Sequence, residues 1–590
     1  MLSPVAICAT LLLIGASFSA RQQALRVTLG IDAAGQTATH QLRQPQGRSI
    51  SLEVKKAERA VRTVQTACGP VQGLQEGDIT AWKGIPFARP PLRELRWRSP
   101  QEASCWEGTL AAFDFASSCP QQSASSPQQV VGDEDCLYLN IYARPGSFAS
   151  GEDDSLLPVM VYIHGGSLVQ GSGDTDFSNF MRHGCTDGCV VVVIQYRLDV
   201  LGWLANRALS QEQGGSSGNY GLLDQQMALQ WVRRNIHDFA GDPDRVTVAG
   251  QSSGGTSIFA LLASPASRGL FYAAISLSGS PNVSMDLSTA EVQNAGITAG
   301  CRGTGEELLS CLRNASVESL LAAKPACWSN PMQDILPTDG FQWHGRGSQC
   351  GLVIVDGRVV QQSSVQALSN GLVDVAFIVG NMGWESGTPQ PMSQEQWSTH
   401  LSHAFAIFGE GVGHQVDVEF SDDAAVSSVK ANRAVTTSYG LTCAAKHLAR
   451  AALTGNYSSP IYVYVNNWSP AAFAPEWGPE NQWAFHSWDL TVALEGWPAN
   501  YTPGEGDLAH ARFLQKSWYD LMKHGALSPA DHAGWLPVNS DPGWPSVLAT
   551  MVLADPADGG PGPSMISSYK AAICELFESV GIGQSYWWTN

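Results

Sequence analysis

Apolar residues along the chain gather in short runs: Val159 to Ile163, Val190 to Gln195, Val246 to Ala249, Ala274 to Leu277 and Val375 to Val379. Runs this short, with few polar interruptions, suit strands covered on both faces rather than the strict alternation of a half-solvated sheet. Between them the period changes. After Asn219, the residues Leu223, Met227 and Trp231 recur every fourth position and predict a helix with one buried face. Strand and helix patterns in alternation predict an α/β fold with a large, mostly parallel central sheet flanked by helices. No internal repeat and no long linker divides residues 61 to 590, which read as one large domain with insertions.

The first sixty residues follow a different pattern. Val5 to Ile14 is an apolar run followed by the small residues Ser17 and Ser19, so residues 1–19 read as a signal peptide. A basic start is missing, and an uncleaved anchor is the competing reading. Residues 20–60 mix arginine and lysine with polar residues and read as a processed or loosely packed extension, with one strand over Leu25 to Ile31. No later segment has the apolar length of a membrane span.

Composition narrows the picture. The chain is 44% hydrophobic and 15% charged, which suits a large core and excludes a disordered chain. Its formal charge of -19 disfavours attraction to nucleic acid or anionic lipid. Thirteen cysteines become an even twelve once Cys8 leaves with the leader, as expected of a disulfide-bonded chain in an oxidising compartment. The triplets beginning at Asn282, Asn314, Asn456, Asn467 and Asn500 are compatible with N-glycosylation. Together these features predict a secreted or secretory-lumen glycoprotein.

The sharpest chemical signal is Gly250-Gln251-Ser252-Ser253-Gly254, set between the strand-like Val246 to Ala249 and the helix-like run from Thr256 to Leu262. A serine on a tight strand-to-helix turn presents its hydroxyl outward as a nucleophile, and a helix N-terminus favours the negative charge that develops beside it. In a chain with 59 glycines the bare pattern arises readily by chance, so the flanking strand and helix carry the inference. Ser253 is the adjacent alternative nucleophile, but it is off the central position. A second segment, Ile163-His164-Gly165-Gly166-Ser167, follows another strand and can offer backbone N–H groups to an oxyanion. Standing alone it is an ordinary glycine turn.

Several further segments occur in order: Gly84-Ile85-Pro86-Phe87-Ala88 with Pro90-Pro91, Glu134 to Ile141, Gly218 to Gln225 and Phe239 to Pro243. Together with the serine segment they resemble the type B carboxylesterase and cholinesterase family, across roughly residues 61 to 580. The resemblance implies an α/β-hydrolase fold and a serine esterase acting on small-molecule or lipid esters without a cofactor. It also implies the residues. Gly380 to Gly387 is similar to the segment that carries the family's acid, which falls on Glu385. Trp483 to Leu490 is similar to its histidine segment, which points to His486. By chain order alone His447, His510 and His524 are rivals. The oxyanion hole falls on the backbone of Gly166, Ser167 and Ser253.

The same resemblance pairs Cys119 with Cys136, Cys301 with Cys311, and Cys443 with Cys574. Cys68, Cys105, Cys185, Cys189, Cys327 and Cys350 are left with open connectivity. Two departures touch the oxyanion site: Ser167 stands where the family commonly has a third glycine, and Ser253 where it commonly has alanine. Cholinesterases have glutamate before the nucleophile and aromatic residues in the first disulfide loop. Here the preceding residue is Gln251, and residues 119 to 136 contain no Trp, Tyr or Phe, so an uncharged ester is expected rather than a choline ester. Relatives such as neuroligins keep the fold without a working triad, so an inactive adhesion or binding protein is the alternative. No H-E-x-x-H or paired Cys/His spacing points to a metal.

Overall fold

In a computed structural model the described residues are 26–31, 37–43, 49–55 and 60–581, apart from 124, 145–155, 326–327, 329–351, 386–390, 473–482, 541–542, 546–547 and 557–559. The leader, Cys327, Cys350, Ser386 and Gly387 lie outside them. The chain divides into two compact units, residues 1–60 and 61–590.

The first unit holds an antiparallel sheet of β1 (Arg26–Ile31), β2 (Thr37–Arg43) and β3 (Ser49–Lys55), with β2 in the middle. The sequence reading expected a single strand here. The two missed strands are rich in polar and charged residues, although Ile50, Leu52 and Val54 alternate with the period of two that a strand requires.

The second unit is built on one large sheet. Its strands are β4 (Val61–Thr66), β5 (Gly69–Glu76), β6 (Ile79–Pro86), β7 (Leu110–Ala111), β10 (Tyr138–Ala143), β11 (Leu157–Ile163), β12 (Val190–Ile194), β13 (Gly241–Gln251), β14 (Ala273–Leu277), β15 (Ala376–Met382), β16 (Ile461–Asn466), β17 (Thr550–Leu553) and β18 (Ser564–Ile566). A separate hairpin pairs β8 (Gln121–Ser123) with β9 (Ser126–Val131). In the sheet the order is β18-β17-β16-β15-β14-β13-β11-β12-β10-β6-β5-β4, with β7 beside β5. From β12 to β17 every pairing is parallel, and antiparallel strands extend the sheet on both sides, with short β7 lying parallel to β5. All five predicted apolar runs are strands of this parallel centre.

Alternation along these strands sorts their side chains into two cores. Val190, Val192 and Ile194 of β12 join Val159, Val161 and Ile163 of β11 on one face, whereas Val191, Val193, Met160 and Tyr162 enter the other. The helices Tyr220–Asn235 and Ser253–Leu262 cover the first face, and Glu505–His524 covers the second with Leu514, Trp518 and Met522. Each fully buried aliphatic side chain contributes about 1.5–3 kcal/mol, so a strand such as β12, buried at every position, anchors the centre strongly.

The predicted helix after Asn219 forms over Tyr220–Asn235, but its most buried ridge is not the predicted one. Leu223 and Met227 are half-buried, and Leu222, Leu229 and Val232 are fully covered. A strict spacing of four drifts around a helix of 3.6 residues per turn, whereas steps of three and four stay on one face. Gln225 and Gln226 are buried too, and their amides donate to Ser257, Ser264 and Ser267.

Five disulfides occur among the described residues. Cys119–Cys136, Cys301–Cys311 and Cys443–Cys574 join the three pairs implied by resemblance, and Cys68–Cys105 and Cys185–Cys189 settle two connectivities left open. Beside the first, Glu134 accepts two hydrogen bonds from Arg96. Arg96 also donates to the carbonyls of Arg313 and Ala315, which end the helix Gly305–Asn314. Those terminal carbonyls have no partner within the helix itself.

Candidate active site

Ser252 sits on the turn between β13 and the helix Ser253–Leu262, with φ +58° and ψ -126°. This is a rare conformation for a side-chain-bearing residue. The reversal is tight: a Cβ on Gly250 would come within 2.4 Å of the Gly254 backbone, and one on Gly254 would lie 2.1 Å from the Ile163 carbonyl oxygen. Only glycine fits either place. The turn is held by Ser252 N–H donating to the Leu277 carbonyl at 2.8 Å and by Thr256 N–H donating to the Ser252 carbonyl at 3.0 Å.

Glu385 follows β15 and is 2% exposed, its side chain fully covered. Its Oε1 accepts the Met382 N–H at 2.6 Å, its own N–H donates to Thr437 Oγ1 at 2.9 Å, and its carbonyl accepts the His486 N–H at 3.1 Å. Its Oε2 lies 2.5 Å from His486 Nδ1. Residues 101 positions apart are thus clamped through both backbone and side chain.

His486 precedes the helix Trp488–Ala493. Burial by itself would lower its pKa; the charge of Glu385, the hydrogen bond to it and the nearby charge of Asp489 override that, leaving the imidazole above its ordinary 6.5. Asp489, three residues on, is pushed up to about 6 by burial, against the Tyr464 hydroxyl that donates to it at 2.6 Å. Two other histidines show burial prevailing: His510 falls to about 3 through desolvation alone, and His164 to about 4 through desolvation that outweighs the Gly165 carbonyl and the charge of Asp174.

A proton on Nδ1 directed at Glu385 leaves a lone pair on Nε2, the tautomer being inferred from the network. That nitrogen stands 3.2 Å from Gln251 Nε2, the neighbour of Ser252. The side-chain amide of Gln251 therefore donates to the imidazole. Among the described residues Ser252 Oγ makes no hydrogen bond, so Glu385 and His486 are brought together directly while Ser252 is adjacent but not yet engaged. Contacts of this kind often tighten only when substrate is bound. The Gln251 contact was missed in the sequence, because nothing local announces a partner 235 residues away.

The rivals to His486 are elsewhere. His510 is stacked on Trp468 at 4.9 Å, with Nε2 3.0 Å from Asn466 Nδ2. His447 pairs with Glu578, and His524 is exposed in the last turn of its helix.

The turn after β11 faces the same serine. Gly166 has φ +109°, followed by Ser167 at +58° and Leu168 at +63°. The backbone N–H groups of Gly166, Ser167 and Ser253 donate to no other described residue, so three donors stand free beside the nucleophile turn. Behind them, Tyr196 donates its hydroxyl to the His164 carbonyl at 2.7 Å and stacks on the His164 ring at 4.4 Å. Next along, Arg197 grips Asp224 through two hydrogen bonds of 2.7 and 2.8 Å, joining β12 to the helix Tyr220–Asn235. Among the described residues no cluster of His, Cys, Asp and Glu could hold a metal ion.

The family described as the carboxylesterase family matches residues 60–551. Para-nitrobenzyl esterase of Bacillus subtilis is 40% identical over 267 residues, 44% of this chain and 52% of that protein. Fumonisin B1 esterase of Sphingopyxis macrogoltabida is 40% identical over 259 residues, 43% of this chain and 45% of the other, and human cocaine esterase is 38% identical over 267 residues, 43% and 46%. The chain spans about half the length of these curated relatives. Solved structures titled PNB esterase superpose more broadly: one has a TM-score of 0.66 at 26% identity and covers 87% of this chain and 99% of its own. A thermophilic PNB esterase has a TM-score of 0.67 over the same shares. The fold is the α/β-hydrolase fold.

Proposed function

The chain belongs to the carboxylesterase family, and from that premise we propose that it hydrolyses carboxylic esters through an acyl-enzyme on Ser252. Ser252 Oγ attacks the ester carbonyl while its proton passes to His486 Nε2. The negative charge that forms on the carbonyl oxygen is met by the free N–H groups of Gly166, Ser167 and Ser253. Glu385 holds the imidazole in its productive tautomer and stabilises the imidazolium. Collapse of the tetrahedral intermediate expels the alcohol, which takes the proton from His486. Water then gives a proton to His486 and its oxygen to the acyl carbon, and as the second tetrahedral intermediate collapses Ser252 Oγ leaves and takes that proton back, releasing the acid.

The observation that carries this reading is the 2.5 Å contact of buried Glu385 with His486, whose other nitrogen comes up against the residue preceding Ser252. An adhesion protein has no use for a buried carboxylate under an imidazole beside a strained serine. Substrates are small or lipid esters without a fixed positive charge, since Gln251 is neutral and the Cys119–Cys136 loop carries no aromatic ring. The relatives are named for unlike compounds, so the reaction class transfers rather than one substrate. Disulfides of this number form in an oxidising compartment, which supports a secretory-lumen or extracellular location after removal of residues 1–19. Residues 61–590 form the catalytic domain and 20–60 an extension.

A fluorophosphonate probe tests the assignment. Wild-type protein is expected to label stoichiometrically and to hydrolyse p-nitrophenyl butyrate, and Ser252→Ala to do neither. Equal labelling of the variant, or none of the folded wild type, would sink it.

A further inference from the structure

The two departures at the oxyanion site, Ser167 and Ser253, are connected in space. Ser167 and Leu168 are consecutive residues with positive φ and neither is glycine, so each crowds its Cβ against the backbone. Such a turn persists only where its surroundings over-determine it. One restraint is the Ser253 hydroxyl, fully buried at the start of the helix that follows the nucleophile. Its oxygen accepts the Leu168 N–H at 3.0 Å. The Tyr196 hydroxyl donates to the His164 carbonyl, at the start of the same turn. The Ser253 side chain thus ties the strained turn after β11 to the turn that carries Ser252. An alanine at 253 would leave the Leu168 N–H buried without a partner, because Leu168 is 2% exposed.

We propose that the Ser253 hydroxyl is a positioning group for the oxyanion turn, required because Ser167 rather than glycine occupies the left-handed position beside it. The inference rests on the esterase reading above. The backbone N–H groups of Gly166 and Ser167 serve the developing oxyanion only if the turn holds its shape, and the hydroxyl at 253 supplies that hold. A glycine at 167 adopts positive φ without crowding, so it relieves half of the strain and weakens the need for the restraint.

The test is a double-mutant cycle with p-nitrophenyl butyrate. Ser253→Ala is expected to lower kcat about tenfold with KM within twofold, since a contact realised in the transition state acts on kcat. Placed in a Ser167→Gly background, the same substitution is expected to lower kcat by no more than about twofold. Circular dichroism and thermal unfolding accompany each variant. An equal kcat ratio in the two backgrounds overturns the proposal, as does a Ser253→Ala effect confined to KM or to melting temperature. Fluorophosphonate labelling of the wild type separates the two levels: without labelling the esterase reading fails, and with labelling but no change in the cycle only the role of Ser253 fails.

Discussion

Replacing Glu385 with glutamine keeps the shape of the site and removes one charge, and its consequence can be sized from within the protein. His510 is a buried imidazole without a carboxylate, held at about 3, and His164, whose burial outweighs the charge of Asp174, is held at about 4, whereas His486, half-buried beside Glu385, lies above its ordinary 6.5. Taking His164 as the nearer comparator, a fall from 6.5 to about 4 corresponds to roughly 3 kcal/mol of proton affinity, at about 1.36 kcal/mol per pH unit. A glutamine amide can also donate to Nδ1, which moves the proton to Nε2 and blocks abstraction from Ser252. The analogous change in a serine protease lowers kcat by about 10⁴-fold, and Glu385→Gln is expected to lose about 10³- to 10⁴-fold. The assay is kcat/KM for p-nitrophenyl butyrate from pH 5 to 9. In the wild type His486 must be neutral to act as base, so activity is low in acid and rises with pH through a midpoint above 6.5. In the variant that limb shifts down toward pH 4, leaving the residual activity nearly flat above pH 5. A loss below tenfold with an unmoved acid limb would refute the reasoning.

Gln251→Leu frees His486 Nε2 from a hydrogen bond worth about 0.5–1.5 kcal/mol, so fluorophosphonate labelling is expected to accelerate about two- to tenfold; slower labelling would mean that the amide orients the base instead of competing with Ser252. Asp224→Asn leaves Arg197, 3% exposed, without its charge partner, and a loss of about 3–5 kcal/mol is expected, read as a lower urea midpoint; an unchanged midpoint argues against a structural role for the pair. In a secretory host, Asn314, Asn456 and Asn500, which are exposed, are expected to carry glycans. Asn467, whose amide donates to the Tyr569 hydroxyl, is expected to stay bare. Peptide mapping after deglycosylation checks this, and a glycan on Asn467 contradicts it.

Much of the architecture was legible because it is local. β12 reads as a buried strand from Val190 to Ile194, since five apolar residues in a row can be satisfied only with both faces covered. The turn at Ser252 was legible for the same reason: a tight strand-to-helix reversal is written in Gly250 and Gly254, whose missing side chains let strand and helix cross. Where the sequence misled, the cause was again local. A count of four through Leu223, Met227 and Trp231 predicted the helix but slid off its true ridge, and the charged residues of β2 and β3 masked two strands.

What the sequence determined by itself was the five central strands, the helix after Asn219, the serine on its turn and the cysteines available to pair. Glu385 and His486 were reachable only through likeness to a family, because 101 residues of chain separate them and neither segment carries a mark of the other. The tertiary structure alone decided which groups meet there: Gln251 across from His486 and the Ser253 hydroxyl under Leu168. The reason is physical. Backbone geometry is set by neighbours along the chain, whereas hydrogen bonds and pKa values are set by whatever the folded sheet brings within a few ångströms.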